Sequence, residues 1–174
     1  MGIFQLNHAV LFVSDLQKSV DFYTDVLGFQ RIEMGGLQGA AFLRAADSTN
    51  DHDLGLFEAP GAGSSGAGRT TVGLYHLAWE VDTLDELERT AKRLADAGAL
   101  GGASDHGTTK SLYGRDPNGI EFEIVWVIPA DLLTEADREA GARIRPLDLA
   151  AEIERFGRDT RGGAGISHQV AAAS

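Results

Sequence analysis

Cysteine is absent from the 174 residues. Its absence removes disulfide scaffolds, thiol nucleophiles and cysteine-based zinc or iron–sulfur centres together. It also accords with a reducing compartment, and a cytoplasmic location is the expectation. Basic residues are few: 15 Lys and Arg stand against 26 Asp and Glu, a net charge of -11. Affinity for a phosphate backbone comes from Lys and Arg displacing counterions, so nucleic acids and anionic membranes are poor partners. Long uncharged apolar runs are missing, and with them a candidate membrane span. The opening "MGIFQLNHAV" has no basic segment leading into an apolar one, which argues against a secretory signal. What remains is a 43% hydrophobic composition, enough for a globular core.

The chain repeats itself. "LNHAVLFVSDLQKSVDFYTDVLGF" starts at Leu6, and "LYHLAWEVDTLDELERTAKRLADAGA" starts at Leu74. Leu6, His8 and Asp15 correspond to Leu74, His76 and Thr83 at a constant offset of 68 residues. Each copy opens on an alternating strand, with Leu6, His8, Val10 and Phe12 on one face of the first and Leu74, His76, Ala78 and Glu80 on one face of the second. A helix follows each strand. Ser14 with Gln17 and Thr83 with Glu86 fit capping boxes, and Gly28 and Gly98 are natural stops. Leu16, Val20, Tyr23 and Leu27 give the first helix an apolar stripe. Short β-like runs come next in both copies, and Asp116-Pro117-Asn118-Gly119 suits a type I turn. The pattern predicts an α+β fold of two paired βαβββ modules. Residues 1–60 form the first module, 61–73 a mobile Gly/Ser-rich linker, and 74–128 the second. Residues 129–160 are predicted to be a helical extension that packs on the sheet or on a second subunit. Its later helix has an apolar stripe of Leu149, Ile153 and Phe156. Residues 161–174 have little to bury and are predicted to be a disordered tail; His168, within it, is given no role.

Four histidines remain. A lone histidine among apolar neighbours is more often a hydrogen-bonded core residue than a ligand. His8 and His76 at matched repeat positions reverse those odds. If the modules pair about a pseudo-twofold, both rings enter one cleft. Glu123 lies on the last strand of the second module, beside its first. Two histidines and a carboxylate on adjoining strands form the facial set of non-heme Fe(II) oxygenases, with open positions for substrate and O2. His8, His76 and Glu123 are therefore the expected metal ligands. Fe(II) is the expected ion, and Mn(II) accepts the same donors.

The chain resembles the vicinal oxygen chelate superfamily over roughly residues 3 to 128. Within it, "HGTTKSLYGRDPNGIEFE" is similar to the signature of extradiol ring-cleaving dioxygenases, carried by His106, Leu112, Tyr113, Asp116, Pro117, Gly119 and Glu123. Ser104 departs from it mildly. "HDLGLF" resembles the strand that carries the acid/base histidine in those enzymes, and His52 takes that place. The 24 residues from His52 to His76 are more than that pattern leads one to expect, and the Gly/Ser-rich linker absorbs the excess. The resemblance implies cleavage of an aryl- or alkyl-substituted catechol beside its diol, with O2 as co-substrate and a 2-hydroxymuconic semialdehyde-type product. His52 would move protons, a role histidine fills near neutral pH. Tyr113 would hydrogen-bond a substrate oxygen, and His106 would stand near the same oxygen. Of Phe12, Phe42, Trp79 and Trp126, some are expected to line an apolar pocket for a second ring and others to belong to the core, and Arg115 is a candidate for a carboxylated ring. A homo-oligomer is implied as well. Two rivals belong to the same superfamily: a glyoxalase-type isomerase or lyase with Glu58 as a fourth ligand, and a drug-sequestering protein without chemistry. Thiol transfer to fosfomycin uses a similar triad but leaves His52, His106 and Tyr113 without a role.

Overall fold

The computed structural model describes residues 2–3, 6–66, 72–141 and 143–163. Among them the chain divides into two compact units. The first spans residues 1–71 with the turn 116–120; the second spans 72–115 and 121–174. Each holds one βαβββ repeat, as the sequence pattern predicts.

In the first unit, β1 (Ala9–Val13) leads into α1 (Leu16–Asp21), which widens into a π-helical turn (Phe22–Val26). Then come β2 (Gln30–Ile32), β3 (Ala40–Arg44) and β4 (Leu54–Glu58), in the sheet order β1-β4-β3-β2. β1 and β4 run parallel, with Ala9 opposite Leu54 and Val13 opposite Glu58. The helix cap differs from expectation. Asp15, not Ser14, is the N-cap, and its side chain accepts from Lys18 N. Ser14 is engaged elsewhere: its N–H and hydroxyl both donate to Asn118 Oδ1, at 2.9 and 3.0 Å. A bond across 104 residues of chain thus outcompeted the local cap. The expected stripe is half right. Val20 and Tyr23 are buried, Leu16 and Leu27 only partly, and the π turn turns Phe22 inward as well. Tyr23 donates to Asp116 Oδ2 at 3.2 Å, so its buried hydroxyl is satisfied.

The second unit repeats the plan with β5 (Leu77–Glu80), α2 (Leu84–Asp96), β6 (Leu100–Asp105), β7 (Thr109–Arg115) and β8 (Glu121–Val127). Thr83 caps α2, accepting from Glu86 N. Leu84, Leu87 and Leu94 of α2 are fully buried, each stabilising the unit by roughly 1.5–3 kcal/mol. β8 alternates strictly: Phe122, Ile124 and Trp126 are buried on the helix side, while Glu121, Glu123 and Val125 are half-buried on the other. The extension adds α3 (Glu135–Ala140), the two-residue β9 (Arg145–Pro146) and α4 (Leu149–Phe156). It packs on this unit's own sheet. β9 pairs with β6, and Phe156 of α4 lies 5.4 Å from the Trp126 ring. Beyond α4, Gly162 N donates to Asp82 O at 2.6 Å. Residues 164–174 of the expected tail, and 67–71 of the expected linker, lie outside the described residues.

Candidate functional site

The 68-residue offset survives folding. His8 and His76 each stand one residue ahead of the first strand of their repeat. Behind them, Ala9 lies opposite Leu54, and Leu77 opposite Phe122, again 68 apart in both strands. The two histidines therefore occupy the same structural position in the two copies.

In the second unit four expected residues meet on the sheet face that the helices leave free. Tyr113 and Glu123 are cross-strand partners on β7 and β8. His76 Nε2 stands 3.2 Å from Glu123 Oε2. The Tyr113 hydroxyl donates to Glu123 Oε1 at 3.1 Å, and His106 Nε2 lies 2.8 Å from the same hydroxyl. These contacts form one row, His76–Glu123–Tyr113–His106. The row sets its own proton positions. Tyr113 has a single hydroxyl proton and gives it to the carboxylate, so His106 must donate from Nε2. Burial, then the charge of Glu123 and the bond to it, push the Tyr113 hydroxyl up to about 12. Tyr113 thus remains a donor throughout the neutral range.

In the first unit, His8 and His52 stack with ring centroids 4.4 Å apart, and the Phe42 ring meets His52 edge-on at 5.1 Å. His8 Nδ1 bonds the Asn7 side chain at 2.7 Å. His52 Nδ1 and, in the second unit, His76 Nδ1 are buried with no hydrogen-bond partner among the described residues. Buried ring nitrogens left in that state fit sites completed by a further group.

The structure also redistributes some expected residues. Trp126 is fully buried on the helix face, and its Nε1 donates to Thr160 O at 3.2 Å, so it belongs to the core and lines no pocket. Trp79 lies opposite Ile124 on that same face. Arg115 pairs with Glu121 at 2.7 Å. Phe12 is exposed on the His8 face. Glu58 is opposite Val13, off the face that carries His8, Val10 and Phe12. Its Oε1 is turned to Leu16 N at the start of α1, 3.4 Å away. By the repeat offset the counterpart of Glu123 is Gly55, where a Cβ would meet Val10 Cγ2 at 3.4 Å. The carboxylate is thus present in one copy only. The signal was legible as the residue 68 places before Glu123, yet sequence reasoning weighed Glu58 instead.

The sequence leads one to expect a metal ion held by His8, His76 and Glu123. Among the described residues no three His, Asp or Glu side chains are gathered to hold one; His8 belongs to the first unit, His76 and Glu123 to the second. The donor pair itself fits. Two donors held at about 2.1 Å on adjacent positions of one ion sit about 3 Å apart, close to the 3.2 Å between His76 Nε2 and Glu123 Oε2. Imidazole with carboxylate also suits Fe(II) or Mn(II).

Repeated βαβββ modules, with an imidazole–carboxylate pair on the free sheet face of one of them, define an α+β fold of the glyoxalase type. The chain belongs to the Glyoxalase/Bleomycin resistance protein/Dioxygenase superfamily, whose model matches residues 5–124. It is 33% identical to biphenyl-2,3-diol 1,2-dioxygenase 3 of Rhodococcus globerulus over 121 residues, 69% of this chain and 62% of that protein. It is 30% identical to a lactoylglutathione lyase of Neisseria meningitidis over 126 residues, 70% of this chain and 89% of that one. Its fold is similar to a glyoxylase/bleomycin resistance protein/dioxygenase domain from Frankia sp. EAN1pec, with a TM-score of 0.59 and 26% identity over 71% of this chain and 92% of that one. The chain thus spans less than two thirds of the Rhodococcus dioxygenase it resembles.

Proposed function

We propose that this protein is an extradiol-type dioxygenase that opens an aryl- or alkyl-substituted catechol beside its diol, using Fe(II) and O2. The observation that carries the reading is the row His76–Glu123–Tyr113–His106. A carboxylate that only balanced a histidine would not need a tyrosine and a second histidine lined up behind it. His76 and Glu123 would hold the ion, with His8 as the third ligand. Bound there, Fe(II) would supply the joint activation of the diol and O2.

The remaining work falls to this chain's side chains. His52 is the residue that would take the diol proton and later return it. With substrate bound, the Tyr113 hydroxyl would turn its proton from Glu123 Oε1 to a substrate oxygen, and His106 Nε2–H would support that hydroxyl from behind. Phe42, against His52, gives the apolar surface on which an aromatic ring can rest. The same reading takes a homo-oligomer in the cytoplasm as its setting. Among the described residues no helix is long and apolar enough to cross a membrane.

The lyase reading needs a fourth protein ligand from the first repeat. Gly55 at the position equivalent to Glu123, and Glu58 turned to α1, weigh against it. Parallel assays separate the two. Protein loaded with Fe(II), Mn(II), Ni(II) or Zn(II) is given a catechol panel under O2 or a glutathione hemithioacetal. Ring-cleavage products with Fe(II) or Mn(II) are expected. Hemithioacetal turnover with Ni(II) or Zn(II), and none on catechols, would sink the dioxygenase assignment.

A further inference from the structure

The extension, residues 129–160, follows the segment shared with the family, which ends at 124. It meets the candidate site at the turn Asp105–His106–Gly107. β9 pairs there, with Ser104 opposite Pro146 and Asp105 opposite Arg145. Gly107, at φ +78°, is seated on the end of α3: a Cβ would overlap the Asp137 carbonyl oxygen and come within 2.6 Å of Gly141 N. Only glycine satisfies both the positive φ and this approach. Asp105 ties the turn internally and outward. Its Oδ1 accepts from Gly107 N at 2.8 Å and from Lys110 Nζ at 2.6 Å, and its Oδ2 from Arg145 at 2.6 Å. Lys110 is completely buried and faces Glu152 Oε2 of α4 at 3.3 Å. Burial opposes charge on Asp105; the Lys110 bond, the Gly107 amide and the two cations outweigh it and hold its carboxyl below the ordinary value. The wall under Gly107 is itself fixed, because Arg155 donates to both oxygens of Asp137 at 2.8 and 2.7 Å.

We propose that the extension is a positioning element for the site: through Asp137, Glu152 and Arg155 it holds the 105–107 turn so that His106 Nε2 stays on the Tyr113 hydroxyl. The idea rests on the site reading above. Removing one partner of a buried ion pair leaves the other charge uncompensated and is strongly disruptive locally. Among the described residues, Arg145 and Glu152 of the extension converge on Asp105 and on its partner Lys110. His106 lies between two anchored residues, Asp105 and Gly107, and has its ring on Tyr113.

The test is histidine side-chain 1H–15N NMR on the metal-free full-length protein, with His106 assigned from His106→Gln. In the wild type, His106 is expected as one Nε2–H tautomer. In Arg155→Gln and Gly107→Ala its signals should move to a mixture of tautomers while those of His76 stay in place. Arg158→Gln serves as control: Arg158 pairs with Asp85 of α2, away from the turn, and His106 should not change. With Fe(II) loaded, turnover should fall about tenfold in Arg155→Gln, with metal affinity retained. An unchanged His106 in folded Arg155→Gln would overturn the proposal. So would an equal effect of Arg158→Gln, or collapse of all histidine signals in Arg155→Gln, since the extension would then merely support the whole unit. Failure of the dioxygenase reading is distinguishable: it shows as no turnover in the wild type, with the NMR result intact.

Discussion

At the residue scale the account turns on which atoms hold a metal and which hold protons. Glu123 faces His76 with one oxygen and accepts a hydrogen bond from the Tyr113 hydroxyl with the other. Glu123→Ala is therefore expected to lose iron, measured as metal content after anaerobic reconstitution. Tyr113→Phe and His52→Ala should keep iron and lose rate. A supporting hydrogen bond of the Tyr113 kind is worth about 10–100-fold, and a general base of the His52 kind about 10²–10⁴-fold. Full turnover in both would show that neither touches the reaction. Much of this site was legible because it obeys two short periods. The 68-residue offset paired His8 with His76, and strand alternation put Glu123 apart from Phe122 and Ile124. The same alternation assigns Trp126 to the buried face, so its aromaticity was a misleading guide to a pocket. Ser14 misled for another reason. Ser14 and Asp15 are both good caps, and the choice was made by Asn118, far along the chain.

At the element scale the extension is where sequence reading ran out. Its two helices were legible, the later one from the apolar spacing of Leu149, Ile153 and Phe156, but the choice between the sheet and a second subunit as their target was not. The contacts that decide it are non-local ion pairs: Lys110 to Glu152, Asp105 to Arg145, and Asp137 to Arg155. Asp137 also completes a capping box with Thr134 at the start of α3. The Arg155 bonds first, then those from Thr134, hold its carboxyl well below the ordinary carboxylate range against the cost of burial. The sign of the pH effect follows. A carboxyl depressed in the folded state contributes stability that is fully present above its unfolded value of about 3.9 and is lost as pH falls below it. Urea unfolding from pH 6 to pH 2 should show this loss in the wild type. Asp137→Asn should be less stable at pH 6 and should lack that part of the acid dependence. Parallel curves for the two proteins would show that Asp137 carries none of it.

At the scale of the whole molecule, one βαβββ plan is used twice and the copies have diverged at a few chemical positions. His8 and His76 are shared; Glu123 stands where the other copy has Gly55. Tyr113, His106 and the extension belong to the second unit, while His52 and Phe42 belong to the first. The net charge of -11 keeps anionic polymers away and is compatible with a small phenolic substrate that needs no basic clamp. The central claim is that this divided set performs ring cleavage with O2. The direct measurement is O2 uptake by anaerobically reconstituted Fe(II) protein supplied with a panel of aryl- and alkyl-substituted catechols, with products followed by absorbance. The account predicts one O2 consumed per ring opened beside the diol, and none with Glu123→Ala. No O2 uptake by iron-loaded wild-type protein on any member of the panel would contradict it.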